Sequence, residues 1–234
     1  MASPQLTYAA SINGHSMTEF IHSPLTLVVD ASATPIQMGL PSDKGWDCLE
    51  SDPGQAMEGI FRLVHLLFDS SDLRLDQVST LYYCEGPGST LGLRLAATFV
   101  KTLLWNGKGK VRLFQYNALD LAALIPNSEP ASLQAPFRRG RRFVRTPGAS
   151  GSLIGDKKII DEENALSEYP DSLHLPDNRT SLLELPESSM LSYELSVING
   201  LSDLNKISVP ADEPQPYSPE PMVFKKWEPT IRPD

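Results

Sequence analysis

Metal-binding and disulfide chemistry have little to work with in this chain. Among 234 residues there are two cysteines, Cys48 and Cys84, in separate strand-like runs. Neither has a Cys or His at metal-ligand spacing, so both are expected as reduced, buried thiols rather than a bridge or a zinc site. The four histidines, His15, His22, His65 and His174, are scattered, and none has another three or four residues away. A zinc peptidase needs such a pair on one helix face, so that class is set aside and no metal is expected. No run of eighteen apolar residues occurs, which argues against a membrane-spanning helix. The first twenty residues lack a basic start and an apolar core. No secretory signal is therefore expected, and the cytoplasm is the expected compartment.

Positive charge is scarce in one region. Residues 151–234 hold 7 Lys/Arg against 16 Asp/Glu, whereas residues 1–150 hold 13 of each, so the last third carries the whole net charge of −9. An acidic surface repels RNA phosphates, and no direct grip on tRNA is expected. What is present is ordinary globular material, 41% hydrophobic and 21% charged. It suffices for one large domain or two small ones.

Residues 1–22 read as a polar extension. Short strand-like runs follow at 25–30, 35–40 and 45–49, an antiparallel meander in pattern. Asp52 and Pro53 stand where a helix would take its cap and first residue, predicting a helix over 53–68. A buried strand at 78–84 and a helix over 89–104 come next, and the alternation predicts an α/β layer architecture. Beyond residue 110 the pattern predicts a strand at 111–116, a short helix over 118–124 entered from Asn117, and strands at 141–145 and 152–160. A helix over 187–204, interrupted at Gly200, is predicted before a Pro-rich extended tail from 210. The expected division is 1–22, 23–109, 110–209 and 210–234.

Two motifs carry most of the information. Leu25-Thr-Leu-Val-Val-Asp-Ala-Ser32 is an apolar strand ending in an acid and a hydroxyl. Leu81-Tyr-Tyr-Cys-Glu-Gly-Pro-Gly-Ser-Thr-Leu-Gly-Leu-Arg94 reads as a buried strand, a glycine turn and a helix start, with Ser89 as N-cap. Free backbone N–H groups at such a turn can cradle an anion, so Asp30, Gly86, Gly88 and Ser89 are candidate nucleotide contacts. The alternative is a compact turn that lets the helix pack close to the sheet. Ser89 has no acid or His tied to it by sequence, which leaves serine-nucleophile chemistry unsupported.

Together these segments resemble the TsaB (YeaZ) family over residues 25 to 105. Asp30-Ala31-Ser32 matches the family's opening strand end, and Gly86, Pro87, Gly88, Ser89, Gly92, Leu93 and Arg94 match its central motif, while Thr90 and Leu91 depart from it. The resemblance implies an actin-like (ribonuclease H-like) mixed sheet with flanking helices in two subdomains, the second degenerate. It implies a noncatalytic subunit in tRNA threonylcarbamoyladenosine synthesis, with no cofactor. The implied partners are the catalytic threonylcarbamoyl transferase TsaD and the switch ATPase TsaE, with a homodimer through the same helices as a further possibility. No second phosphate loop is found, and Gly148-Ala-Ser-Gly-Ser152 reads as a loop.

The two helices are apolar nearly all round, more than packing on one sheet requires. Met57, Ile60, Phe61, Val64, Leu67 and Phe68 on the first, with Leu91, Leu95 and Phe99 on the second, form the predicted partner surface. Two other function classes stay open at this stage. One is a small ATPase or kinase using Asp30 and the Gly86–Ser89 turn. The other is an RNA-binding adaptor using the run Arg138 to Arg145, with Arg138, Arg139, Arg141 and Arg142 on phosphates and Phe143 on a base.

Overall fold

A computed structural model describes residues 25–69, 73–126, 128–137, 140–176 and 185–217. The expected extension 1–22 and most of the expected tail lie outside these residues. Strands β1 (Leu25–Asp30), β2 (Ile36–Ser42) and β3 (Gly45–Asp52) form the predicted meander, followed by helix α1 (Ala56–Phe68). Then come β4 (Val78–Gly86), α2 (Thr90–Asn106), β5 (Arg112–Asn117) and the short α3 (Ala118–Ala122). The second half contains β6 (Leu133–Pro136), β7 (Arg141–Thr146), β8 (Asp156–Asp161), α4 (Glu162–Glu168), β9 (Leu173–His174), α5 (Leu201–Ile207) and β10 (Ser208–Ala211).

Six strands form one mixed sheet in the order β10-β5-β4-β1-β2-β3. Strands β1, β4 and β5 run parallel, and the two hairpin neighbours β2 and β3 are antiparallel. Because side chains alternate across a strand, the continuous apolar run Leu27-Val28-Val29 divides between two cores. Leu27, Val29, Leu81 and Tyr83 meet α1 and α2 on one face. Val28, Tyr82 and Cys84 meet α3, α5 and the second sheet on the other. A strand buried on both faces needs no polar alternation, which explains why this stretch reads so plainly. The second sheet, in the order β8-β7-β6-β9, closes the far side.

Several expectations are revised by this arrangement. Helix α1 starts at Ala56, not 53, because Asp52 is the last residue of β3 and pairs with Ile36. Its carboxylate accepts from the Gly54 N–H at 2.7 Å and from Arg62 Nε at 2.6 Å, tying strand to helix. The predicted helix over 187–204 is instead two 3₁₀ turns, Glu187–Ser189 and Leu195–Val197, followed by α5. Side chains of the first sheet claim the backbone groups a helix would use: Gln37 Oε1 accepts from Leu195 N at 2.8 Å, and Trp46 Nε1 donates to Leu195 O at 3.0 Å. The first sheet draws on both halves of the chain, since β5 and the returning β10 belong to it. Residues 149–151, expected as an irregular loop, form a 3₁₀ turn. Both cysteines are free thiols, Cys84 buried and Cys48 partly so. Among the described residues no helix is long and apolar enough to cross a membrane.

Candidate functional site

The carboxyl ends of β1 and β4 lie side by side, and ligands of open α/β sheets gather at such ends. There the Gly86–Ser89 turn leads into α2, with the Ser89 hydroxyl accepting from Gly92 N at 3.2 Å as the predicted N-cap. Ser89 N donates to Ser32 O at 2.7 Å, locking the turn onto the end of β1. A Cβ on Gly88 would stand 2.0 Å from Ser32 O, and one on Gly92 2.1 Å from Ala31 O. Glycine is required here so that α2 can approach the strand. The close-packing reading of this turn therefore accounts for its glycines without an anion.

Beside the turn lies a cavity of about 310 Å³, bounded by Ser32, Pro87, Thr90, Pro136, Leu175 and Tyr193 among others. Among the described residues no charged side chain lines it. Asp30, the acid that would hold a nucleotide's magnesium, is not among the residues that line the cavity. It is buried and accepts four hydrogen bonds: Ser32 N at 2.9 Å and Ser32 Oγ at 2.6 Å on Oδ1, and Tyr116 and Tyr193 hydroxyls, each at 2.7 Å, on Oδ2. A carboxylate offers about four lone-pair positions, and all four are used. Burial, reinforced by the adjacent Asp30 charge, pushes both tyrosine hydroxyls well above the usual phenol range, so they stay donors. Among the described residues no three His, Cys, Asp or Glu side chains cluster to hold a metal. The residues do not fit a magnesium nucleotide, and the Asp30 reading is corrected to a structural one.

The arginine run is corrected in the same way. Arg138 and Arg139 lie outside the described residues. Arg142 is buried between β7 and α4, where it donates to Glu162 Oε1 at 3.2 Å and to His174 Nδ1 at 3.1 Å. Burial, with the Arg142 charge adding to it, pulls His174 down to about 4, so the ring is neutral and accepts. Arg145 is fully buried, donating to Asp120 at 2.9 Å, to Glu129 at 3.1 Å and to Leu153 O at 2.9 Å. Arg141 stands 3.9 Å from Asp161 on the neighbouring strand. Phe143 packs in the core against Phe137 and Tyr217. Covered on both faces, by α4 on one and α3 on the other, β7 places Arg142 and Arg145 in internal ion pairs, so Arg142 and Phe143 are not RNA contacts.

The helix surface is partly as expected. Met57 is 58% exposed, Phe61 60% and Leu91 65%, with Val64, Leu95 and Phe99 half-buried beside them. Helices α1 and α2 pack on each other, so these residues share one side of the protein. Ile60, Leu67 and Phe68 are core residues, each under 10% exposed, and are removed from the partner surface. They face the sheet because they follow Leu63 and Gly59 on the buried side of α1. Leu66, 52% exposed, lies about 140° round α1 from Phe61, away from that surface.

Residues missed at the sequence level are the tyrosines on Asp30 and the Asp120–Arg145–Lys157 group, where Lys157 Nζ lies 2.6 Å from Asp120. Tyr193 is 163 residues from Asp30, and no local pattern joins them. Asp120 gave a faint signal as an acid within an otherwise apolar short helix.

No protein-family model matches the chain, and no curated protein matches it. Solved structures do share its fold. YeaZ from Pseudomonas aeruginosa superposes with a TM-score of 0.56 at 15% identity, over 84% of this chain and 100% of that one. An uncharacterised protein with similarity to peptidase YeaZ from Pseudomonas aeruginosa superposes with a TM-score of 0.50 at 17% identity, over 65% and 76%. With the sheet order and the glycine turn already described, these likenesses show that the chain shares its mixed-sheet fold with YeaZ.

Proposed function

We propose that this chain is a noncatalytic TsaB-like subunit that binds TsaD, the catalytic threonylcarbamoyl transferase of tRNA threonylcarbamoyladenosine synthesis. The observation that carries the proposal is the apolar outer face of α1 and α2, with Met57, Phe61 and Leu91 more than half exposed in a YeaZ-like fold. Each has just over half of its side chain left to bury, so covering it contributes roughly 1–2 kcal/mol. Three such residues offset only part of the roughly 4–15 kcal/mol that association costs. The face is thus the anchor of a larger contact that also takes in Val64, Leu95 and Phe99. The subunit performs no bond chemistry in this reading; it stabilises a competent conformation of its partner, and the switch ATPase TsaE joins the assembly. The filled Asp30 site supports the noncatalytic role.

Size-exclusion chromatography with light scattering tests it, using the full chain mixed with TsaD from the same cell. Co-elution is expected, and Phe61→Asp should abolish it while leaving the circular dichroism spectrum unchanged. Separate elution of the parent chain and TsaD at micromolar concentration, or undiminished binding by Phe61→Asp, would refute it.

A further inference from the structure

The acidic balance of the chain hides a local reversal. From Gly86 to Leu119, 34 residues contain five basic side chains, Arg94, Lys101, Lys108, Lys110 and Arg112, and no Asp or Glu. All five are exposed. Arg94, Thr98, Lys101 and Trp105 fall at the 4-, 3- and 4-residue steps of one helical face, and all four are exposed along α2. Lys108 follows just past the cap Gly107, in the left-handed region with φ 50°, and its N–H bonds back to Trp105 O at 3.2 Å, which keeps it at this end of the helix. Arg94 and Lys101, seven residues apart on the helix, stand about 10 Å from each other along its axis. Between Lys101 and Lys108 sits Trp105, 85% exposed. An indole left this far in water contributes almost nothing to packing in the chain itself. The centre of this line lies about 90–130° round the helix from Leu95 and Phe99, whereas Leu91, seven residues before Thr98, borders it, so the line adjoins the proposed TsaD face at Leu91 and diverges from the rest of it. Among the described residues, Lys101 has an acidic neighbour, Glu213, at 3.7 Å, and that pair is well exposed on both sides; such a pair is weak and readily exchanged for another anion.

We propose that the Arg94–Lys101–Trp105–Lys108 face of α2 binds single-stranded RNA, the cations meeting phosphates and Trp105 stacking on an unpaired base. Cations flanking an exposed aromatic ring are the elements of sequence-tolerant single-strand binding. A membrane surface is the poorer fit, because a helix lying on lipid needs an apolar face, and Trp105 is the one apolar side chain on this line. The proposal goes beyond the scaffold reading and reverses the expectation, drawn from net charge, that the chain makes no RNA contact of its own.

Fluorescence anisotropy of a fluorescein-labelled, mixed-sequence RNA of about 12 nucleotides tests it with the full chain. Binding is expected at roughly 50 mM salt, with log K falling against log salt at a slope of about −2 for three phosphates. Trp105→Ala and Lys108→Glu should each weaken it about tenfold, in line with the loss of one stacked base. Lys44→Glu, the same charge change at an exposed turn elsewhere, should leave it unchanged. The variants alter exposed side chains only, and unchanged circular dichroism confirms their folding. Absence of binding by the parent overturns the proposal, as does equal weakening by Lys44→Glu. Sedimentation with phosphatidylserine vesicles that is lost in Trp105→Ala, without RNA binding, reassigns the face to a membrane and overturns it too.

Discussion

Replacing Asp30 by asparagine asks directly whether this acid is a tie or a nucleotide contact. The carboxylate accepts from Ser32 N, Ser32 Oγ, Tyr116 and Tyr193, all within 2.9 Å. An amide oxygen accepts about two of these, and the new NH₂ faces donors where it needs acceptors. At least one buried hydroxyl is stranded, at about 1–3 kcal/mol, and the surviving bonds lose their charge assistance. A total loss of about 3–4 kcal/mol is expected, a large part of the roughly 5–15 kcal/mol that holds a domain folded. Tyr193→Phe and Tyr116→Phe should each cost about 2 kcal/mol. Since both hydroxyls bond the same Oδ2, the double variant should depart from additivity by 0.5 kcal/mol or more, a magnitude typical of coupled groups. Urea unfolding followed by circular dichroism measures all four variants. The same samples with magnesium and ATP test the nucleotide reading, because a ligand at about 100 times its Kd stabilises by about 2.7 kcal/mol. No shift with ATP is expected in parent or variant. An Asp30→Asn protein within about 0.5 kcal/mol of the parent, or ATP stabilisation present in the parent and absent in that variant, would refute the reasoning.

Neighbouring positions on α1 should give opposite results: Phe61→Asp leaves a folded monomer that no longer associates, whereas Ile60→Asp buries an unpaired charge and unfolds the chain. Light scattering beside circular dichroism separates them, and equal behaviour of the two would overturn the division of the helix into core and outer face. His174 is held neutral, down to about 4, against an ordinary value near 6.5. A group whose folded value is depressed in this direction loses stability as pH falls, since the unfolded chain takes up the proton first. Between pH about 6.5 and 4 the chain should lose roughly 1–2 kcal/mol, discounted for solvent screening, and His174→Gln should flatten that part of the profile; an unchanged slope counts against the buried Arg142–His174 pair. Gly92→Ala drives a Cβ to 2.1 Å from Ala31 O and should cost at least about 1–3 kcal/mol; a neutral result in thermal unfolding would show that α2 does not need its close approach to β1.

The boundary between what the sequence revealed and what it concealed follows the range of the forces involved. Strand β1, the end of β4, Ser89 as cap and Asn117 at the start of α3 were legible because each depends on a few neighbouring residues: an apolar run, a glycine turn, a side-chain oxygen near a helix start. The start of α1 was misplaced because Asp52 had two local roles available, cap and strand end, and the pairing with β2 and Arg62 decided between them. Longer range still, the helix expected over 187–204 lost to Gln37 and Trp46, both some 150 residues away, which take the Leu195 backbone groups. Charge was the least legible property of all. Arg142 and Arg145 look like a nucleic-acid grip in sequence, but they point to opposite faces of β7, and α4 and α3 cover those faces and supply an acid to each. The cations that do face water, along α2 and its following turn, are spaced too far apart to attract notice in a linear reading. Helical geometry, which sets residues three, four and seven apart on one side, is what assembles them. A net charge of −9 therefore constrains the long-range field of this protein but not the sign of any one face, and partners that dock through a single face respond to the local sign.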